Sequence, residues 1–379
     1  MSVIIDIHAL QTLPPSLINR DDTGAPKSAI YGGVPRQRVS SQSWKRAIRR
    51  DFEENFDPKS VGFRTKYVAS LVVEKILETG GDTWTEDRAE AAVTEAFKTV
   101  KIKLTDPKPV DDSLSEDEKA AKKYPETGYL LFISPRQIDN LAAAIVNSEG
   151  AKLSKAEVQK HLNEDHSVDI AMFGRMVAEE PSFNVDASVQ VAHAIGIHES
   201  EPEFDFFTAV DDVVEDRDEV GAGMMGTVQL MSSTLYRYAT IDVESLAENL
   251  GDRSAAEKSA VAFLRSFITS LPTGKQNTFA HNTLPELVYI TVRDDRSISL
   301  VNAFERPIST PAAEGRRVAG AKALAEEASL IQTAYGFEPA AAFVIGLGDL
   351  TAEFEKIAQK TTLPELDDLI ASSLNTSEA

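Results

Sequence analysis

The first apolar pattern in the chain is an alternation over residues 2–10. Val3, Ile5, Ile7 and Ala9 share one face of this segment. Alternation with a period of two residues is typical of a β-strand. Because the opposite face is also largely apolar, we predict a strand in the centre of a sheet.

A long loop and then an amphipathic helix are predicted next. Residues 12–34 contain several prolines and a glycine pair, and loops of this length inside a compact domain are usually functional or disordered. The serine-rich cluster at 40–43 can cap the free amides of a helix. Trp44, Ile48 and Phe52 then recur at i, i+4 and i+8, which predicts the buried stripe of that helix.

The remaining pattern predicts a mixture of helices and strands. Helical periodicity covers 64–78, 86–99, 135–147, 154–163, 243–250, 255–271, 318–334 and 363–374. Strand patterns cover 129–133, 167–172, 186–198, 227–240 and 286–293. Three capping boxes are predicted: Ser115 with Glu118, Ser154 with Glu157 and Ser254 with Glu257. The acidic run 199–219 lies between two strand patterns and predicts a hairpin that projects from the sheet.

Composition bounds the class of protein. The chain has 379 residues, of which 42% are hydrophobic, enough for a sizeable core and for two or three domains. It has no cysteine, which excludes a disulfide framework, a zinc ribbon and a thiol nucleophile. No apolar run reaches the length of a membrane span, and the start does not resemble a signal peptide. We therefore expect a cytoplasmic protein without a membrane partner.

The charge of the chain is distributed unevenly. The formal net charge is -21, yet residues 1–50 hold eight basic side chains against three acidic ones. Six of these cations lie within 32–50: Arg36, Arg38, Lys45, Arg46, Arg49 and Arg50. A helix N-terminus with serine hydroxyls and several cations favours anion binding. The asymmetry therefore predicts one basic groove on an acidic body.

Two glycine motifs resemble nucleotide-binding loops without meeting their requirements. Residues 221–226 match GxGxxG, but an acidic run precedes them and a strand follows, which favours a glycine hinge. Residues 271–276 end like a phosphate loop, but Thr269 stands where the first glycine belongs and Gln276 replaces the magnesium-binding hydroxyl. The backbone of Gly274 and the ammonium of Lys275 leave a phosphate contact open.

The sequence does not predict a metal site or a catalytic nucleophile. The pairs His161–His166 and His193–His198 are each five residues apart, a spacing that suits neither a helical nor a strand metal site. No Gly-x-Ser-x-Gly elbow occurs. We expect no metal, no cofactor and no catalytic residue.

Two further surface features have alternative interpretations. Phe206–Phe207 is either an apolar anchor on a neighbouring subunit or a wedge beside nucleic-acid bases. Lys152, Lys155 and Lys160 give one helix a basic edge, which is either a solvated face or a DNA contact.

Several segments resemble the CasC family, the repeated backbone subunit of the type I-E CRISPR surveillance complex Cascade. The similarity is spread in order over most of the chain, and the block from Arg38 to Arg49 is its most specific part. The matching segments begin at Arg20, Lys27, Arg38, Phe173, Ala192, Phe206 and Leu235.

The resemblance implies an α+β fold shaped like a right hand. A palm with a modified RNA-recognition (ferredoxin-like) fold would carry inserted helical fingers and a projecting hairpin thumb. The implied bounds are 1–56, 183–198 and 227–379 for the palm, 57–182 for the fingers and 199–226 for the thumb. The usual RNA-recognition aromatic motif is absent from the strands, so we do not expect the sheet to stack bases.

The resemblance also implies a function in antiviral defence. Copies would assemble head to tail into a helical filament along CRISPR RNA (crRNA), without catalysis, and present its spacer to a target DNA strand. Partners would include the large, small, RNA-processing and RNA-end-capping subunits of Cascade. The RNA-binding residues that the resemblance implies are Arg20, Lys27, Ser40, Gln42, Lys45, Arg46, Arg49, Met176, Phe206 and Phe207, and the phosphate-loop motif adds Lys275. The implied DNA-binding residues are Lys152 and Lys155.

Two alternatives remain open at this point. Backbone subunits of related CRISPR complexes cut target RNA through a loop aspartate, and Asp21 or Asp22 lies in a comparable loop. The non-catalytic interpretation is that these aspartates form ion pairs with Arg20. The other alternative is an oligomeric structural protein that binds no nucleic acid.

Overall fold

The structure is a computed structural model that describes residues 3–106, 115, 122–177, 180–209, 224–309 and 315–376. The chain forms two compact units. The first consists of Met1–Asp51, Gln190–Val243 and Ala260–Ala379, and the second of Phe52–Val189 and Glu244–Ser259. Among the described residues, no helix is both long enough and apolar enough to cross a membrane.

The strands and helices alternate irregularly along the chain. The described strands are β1 Ile4–Ser16, β2 Ser28–Tyr31, β3 Val34–Val39, β4 Phe63–Thr65, β5 Leu104–Thr105, β6 Glu126–Thr127, β7 Leu131–Ile133, β8 Val189–Val191, β9 Ala194–Gly196, β10 Glu203–Ala209, β11 Met224–Asp242, β12 Leu287–Arg293, β13 Ala341–Gly346 and β14 Gln359–Lys360. The described α-helices are α1 Ser41–Asn55, α2 Val68–Thr79, α3 Glu86–Thr99, α4 Pro135–Asn147, α5 Lys155–Asn163, α6 Val168–Phe173, α7 Val243–Leu250, α8 Arg253–Thr269, α9 Gln276–Phe279, α10 Arg316–Tyr335 and α11 Leu363–Thr376. The α+β class is confirmed, whereas the division into palm, fingers and thumb stays a prediction.

Strand β1 lies in the centre of the main sheet, as predicted. The strands follow the order β14-β13-β12-β1-β11-β9-β3-β2, and β10 also pairs with β11. Ile5 of β1 faces Ile241 of β11 and Val292 of β12, both in antiparallel ladders. The strand continues to Ser16 through an irregularity after Leu13. The predicted loop over 12–34 is therefore wrong in part, since it contains the end of β1 and all of β2.

One face of this sheet carries a cluster of aromatic rings. His8 stacks on Tyr236, Tyr238 and Tyr289, with ring centroids 5.1 to 6.2 Å apart. The Nδ1 atom of His8 lies 2.9 Å from the Tyr236 hydroxyl. Leu324 of α10 belongs to the same buried core, so this face is covered.

Helix α1 has the buried stripe that the sequence predicts. Trp44, Ile48 and Phe52 are all buried, and the cations of the helix lie outside this stripe. Because residues four apart lie one above the other on a helix, the apolar face anchors α1 and the cations project from its other faces. The predicted stripe is confirmed.

The second unit has a helical core of its own. Val72 of α2, Phe97 of α3 and Leu141 of α4 are buried in one cluster. The capping box of Ser154 and Glu157 is present, since each side chain accepts a hydrogen bond from the backbone of the other. That prediction is confirmed.

Three sequence-based predictions are wrong. The predicted strand 167–172 is helix α6, because a short apolar run buried on every side fits either structure. The Ser254–Glu257 capping box is replaced by Asp252, which accepts hydrogen bonds from the amides of Ser254 and Ala255. The strand pattern over 186–198 breaks into two short strands, β8 and β9.

The predicted hairpin is formed by β10 and β11. The two strands are antiparallel, with Phe206 opposite Thr227 and Phe207 opposite Gly226. Its tip over 210–223, and with it the first half of the GxGxxG match, lies outside the described residues, as does Glu118 of the predicted Ser115 capping box.

Candidate nucleic-acid interface

A groove of about 620 Å³ runs beside helix α1 in the first unit. We call it the α1 groove. Its lining comes from three segments: the loop residues 17–24 without Thr23, one side of α1, and residues 271–274. Helix α1 contributes Ser43, Arg46, Ala47 and Arg50. The segment singled out by its charge therefore forms a wall of a concave surface.

The start of α1 is tied to the groove's loop. Ser40 is 6% exposed, and its hydroxyl accepts a hydrogen bond from the Ser43 amide over 3.3 Å. The side-chain oxygen of Asn19 accepts a hydrogen bond from the Ser40 amide over 2.9 Å. These bonds satisfy amides that a helix N-terminus leaves free. Ser40 therefore acts as the helix cap that holds the loop against α1.

Two cations of the groove have no ion-pair partner among the described residues, although Asp21 and Asp22 line the same groove. Within the described residues, Arg20 and Arg46 form no ion pair, and both are exposed. Arg46 and Arg50 are four residues apart, so both side chains project into the groove from successive turns of α1. This arrangement is suited to a chain of phosphates, whose charges repeat along a strand.

Asp21 is held by a tight turn in the groove's loop. Its carboxylate accepts hydrogen bonds from the Thr23 amide, the Thr23 hydroxyl and the Ala25 amide, at 2.8 to 2.9 Å. The Thr23 hydroxyl is the main cause that lowers the pKa of Asp21 below its usual value. The structural role of Asp21 is therefore to hold this turn, and not to pair with Arg20.

The third wall approaches the loop closely. A Cβ on Gly274 would lie 2.2 Å from the carbonyl oxygen of Ile18, so the two backbones can meet there because the residue is glycine. Lys275 adopts a left-handed conformation with φ of 54° at the start of α9, and the groove lining ends at Gly274. The backbone of this wall is thus fixed next to the Arg20 loop.

A second cationic cluster lies on the β2–β3 edge. The guanidinium of Arg38 is 3.1 Å from Nδ1 of His193. Partial burial lowers the pKa of His193, and the charges of Arg38 and Lys27 lower it further. Lys27 therefore belongs with Arg38 and His193, outside the α1 groove.

The other predicted residues of α1 do not line the groove. Gln42 is exposed, and Lys45 and Arg49 lie on a different side of the helix, where both make contacts. The structure therefore divides the predicted phosphate contacts of this helix into two faces.

The predicted apolar contacts are exposed. Met176, in the second unit, is 82% exposed. Phe206 and Phe207 are 63% and 40% exposed and lie on opposite faces of the hairpin, since neighbouring strand residues alternate. Phe207 covers the backbone of Gly226, where a Cβ would come within 2.5 Å of the ring. Because the two rings lie on opposite faces of the hairpin, they cannot contact the same partner surface.

The predicted DNA-binding lysines are both paired with acids in the second unit. The ammonium of Lys152 lies 2.7 Å from the carboxylate of Glu95, and that of Lys155 lies 3.7 Å from Glu180. Their positive charge is therefore partly compensated within the protein.

Among the groove residues, Ser43 and Arg50 belong to the serine cluster and the basic segment but are absent from the implied RNA-binding residues, and Thr273 has no signal of its own in the sequence. The spacing of Arg50 from Arg46 places both on one side of α1. The sequence-based prediction of a basic groove also included Arg36. This residue is buried, and its guanidinium donates to backbone carbonyls, including those of Gly196 and Phe304. Among the described residues, no group of histidines and acids is arranged to hold a metal ion.

Comparisons with known proteins agree with this architecture. The family profile of CT1975-like proteins matches residues 5–372. A search among curated proteins finds no match. A chain from a structure described as "CRISPR RNA-guided surveillance complex, pre-nicking" is 35% identical, with a TM-score of 0.79, and the match covers 98% of this chain and all of that one.

A second solved structure gives a similar result. A chain of a "CRISPR RNA-guided surveillance complex" is 30% identical, with a TM-score of 0.71, and the match covers 97% of this chain and 99% of that one. Family profile and fold thus agree over nearly the whole length. The chain belongs to the family of CT1975-like proteins, which confirms the resemblance to the backbone subunits of Cascade.

Proposed function

We propose that the protein is a non-catalytic scaffold that binds the backbone of CRISPR RNA without sequence specificity and presents the spacer to a target DNA strand. The α1 groove carries this proposal. It presents Arg20 and Arg46, which form no ion pair within the described part of the chain, in a protein of net charge -21. Such a groove suits phosphates, which position a nucleic acid but carry no sequence information.

RNA is the partner that the relatives favour, since both solved structures are described as RNA-guided. A protein that must accept any spacer sequence benefits from contacts with the backbone alone, because base pairing supplies the specificity. The hydroxyl of Ser43, the guanidinium groups and the backbone of 271–274 offer donors of this kind.

Assembly along the RNA follows from the same proposal. We assign residues 1–56, 183–198 and 227–379 to a palm, 57–182 to fingers and 199–226 to a thumb. Copies joined head to tail through a contact that does not close form an open filament. The other subunits of a type I-E Cascade would complete the assembly, and Met176 and the thumb would contact the RNA between phosphate sites.

The experiment compares charge reversals at two places. In the double variant Arg20→Glu, Arg46→Glu, we expect RNA affinity to fall by roughly a hundredfold and filament assembly to be lost, because repulsion replaces phosphate contacts. The matched control, Lys356→Glu with Lys360→Glu, makes the same change in net charge at exposed lysines outside the groove. It should stay within about twofold of wild type.

Three outcomes would contradict the proposal. Unchanged affinity and salt dependence in the Arg20, Arg46 variant would exclude the groove as the RNA site. A purified assembly without absorbance near 260 nm would favour a structural protein without nucleic acid. Site-specific cuts in complementary RNA with magnesium, lost on Asp22→Ala, would instead identify a ribonuclease.

A further inference from the structure

Arg237 is a buried cation beneath helix α1. It lies in β11, is 1% exposed, and its guanidinium carbon is 3.8 Å from the ring centre of Trp44 and 4.3 Å from that of Phe267. Its Nη1 donates to the side-chain oxygen of Gln11 over 2.6 Å, and its Nη2 donates to the Phe267 carbonyl. Aromatic faces and neutral oxygens, rather than a carboxylate, surround the charge.

A buried arginine of this kind is expensive in free energy. Taking a cation out of water is unfavourable, and well-packed apolar residues often replace such groups without loss of stability. Burial lowers the pKa of Arg237 to about 9, so the group stays protonated at neutral pH. What an apolar residue cannot supply is the planar fork, which fixes several partners in one geometry.

Two contacts of Arg237 lead directly to walls of the α1 groove. Trp44 is on α1, next to Ser43, which lines the groove. Phe267 is in the last turn of α8, and the chain enters the wall 271–274 shortly after this helix ends. A cation at the carboxyl end of a helix also interacts favourably with its free carbonyls.

The contact with Gln11 reaches the far end of the same wall segment. The amide nitrogen of Gln11 donates to the Thr283 carbonyl over 2.6 Å. Between these ends, Nε2 of His281 lies 3.1 Å from the Pro272 carbonyl. The segment from 271 to 283 is therefore held at both ends, and Arg237 is connected to each of them.

We propose that Arg237 is a positioning residue that sets the spacing between helix α1 and the wall 271–274, and thereby the fit of an RNA backbone in the α1 groove. This inference rests on the proposed function. Arg237 does not line the groove itself, so it acts through Trp44, Phe267 and Gln11.

The test uses the full chain and a uridylate oligomer as probe. Arg237→Met keeps the volume and Arg237→Lys keeps the charge, and neither reproduces the fork. We expect both to lower RNA affinity about tenfold and to flatten the salt dependence by about 0.7 in log–log slope for each phosphate that the groove no longer binds. Gln11→Met, which breaks one connection, should lower affinity about threefold in the same direction.

The matched control is Arg293→Met, which removes another buried arginine of the first unit. Arg293 lies beside Asp6 on the opposite face of the sheet. We expect it to lower the urea midpoint at least as much as Arg237→Met while RNA affinity and salt slope stay within about twofold of wild type. Loss of stability alone would thereby be separated from loss of groove geometry.

Two results would overturn the inference. A folded Arg237→Lys variant with wild-type affinity and slope would mean that the fork is dispensable. If Arg237→Met does not fold, Arg237→Lys and Gln11→Met decide in its place, and unchanged binding in both has the same meaning. Wild-type protein that binds no RNA would contradict the proposed function instead.

Discussion

Arg20 and Arg46 of the α1 groove differ in their partners from two lysines of the second unit. Within the described residues, Arg20 and Arg46 form no ion pair. In the second unit, by contrast, Lys152 pairs with Glu95 and Lys75 lies 3.1 Å from Glu78. A phosphate that approaches the groove meets an available charge, whereas one that approaches these lysines must displace a carboxylate.

This difference shows why counting charges along the sequence is not enough. Exposed ion pairs contribute only about 0–1 kcal/mol to stability, yet each one reduces the positive field that a ligand meets. Residues 1–50 carry an excess of five positive charges, and most acids of the chain lie outside them. The position of acids relative to the cations therefore decides which basic surface can hold RNA.

The largest expected effect comes from adding an acid to the wall 271–274, which carries none. Thr273→Glu places a carboxylate in the groove that Arg46 also lines, whereas in the second unit Glu95 pairs directly with Lys152. We expect RNA affinity to fall by roughly tenfold or more in low salt, with a smaller loss in high salt, because screening weakens the repulsion. Fluorescence anisotropy at several salt concentrations measures this.

The control for this variant is Thr333→Glu, the same substitution at an exposed position of α10. It should leave the affinity within about twofold of wild type. Equal losses in the two variants would mean that net charge, and not the groove, governs RNA binding.

The second effect concerns the hairpin, whose rings lie among acidic residues. Phe206 shares its face with Phe204 and Met225, both exposed, whereas Phe207 covers Gly226. Loss of one stacked ring costs about 1–3 kcal/mol, so we expect Phe206→Ser to weaken assembled RNA binding roughly tenfold. Filament formation on RNA, followed by electron microscopy and anisotropy, measures it.

The hairpin prediction has two controls: the salt dependence of the Phe206→Ser variant, and the variant Phe207→Ser. The loss in Phe206→Ser should be the same at low and high salt, because stacking is not screened as charges are. Phe207→Ser should instead weaken the hairpin, through loss of the ring that covers Gly226. Equal losses of RNA affinity in the two variants would contradict the division between the faces.

Local patterns predicted those parts of the fold that rest on neighbouring residues. The stripe of Trp44, Ile48 and Phe52, and the Ser154 cap, need nothing beyond helical spacing. The sequence did not predict β13, whose apolar run 341–346 follows directly after a helix and a short loop. Its strand character depends on pairing with β12, a contact that local sequence does not encode.

The sequence predicted which segment forms the candidate site, but not how its side chains are arranged. The charge of 32–50 indicated a basic groove, yet Arg36 of that segment is buried on backbone carbonyls. Arg237 is far from α1 in sequence, and neither spacing nor charge connects it with Trp44. Such long-range contacts are set by the sheet register, which becomes visible only in the structure.

The third effect is small and runs in the opposite direction. Glu95→Gln removes the acid that pairs with Lys152, so this lysine becomes available to a phosphate. We expect duplex DNA affinity of the assembled complex to rise by at most about threefold, since one phosphate contact is added. Glu353→Gln, which releases Lys356 in the first unit, is the matched control. A rise of the same size in both would exclude a specific role of Lys152.

The pH dependence of stability separates unfolding from loss of groove charge. Burial lowers the pKa of His8 to about 3 and that of His166 to about 4, so both favour the folded state above pH 6.5 and lose this contribution as pH falls. Burial raises the pKa of Asp6 to about 6, which has the opposite sign between pH 6 and 3.8. Two histidines outweigh one carboxyl, and we expect a lower urea midpoint at pH 5 than at pH 7.

RNA affinity should show no change between pH 8.5 and 6.5. The groove is lined by arginines and by no histidine, and the pKa of His193 is held below its usual value by burial and by Arg38. Affinity should then fall only where the fraction of unfolded protein grows, and circular dichroism recorded on the same samples measures that fraction. A rise in affinity from pH 8 to 6.5, with the protein fully folded, would indicate that His193 gains a proton and binds phosphate, and His193→Gln would abolish this rise. In that case the β2–β3 edge, and not the α1 groove alone, would hold the RNA backbone.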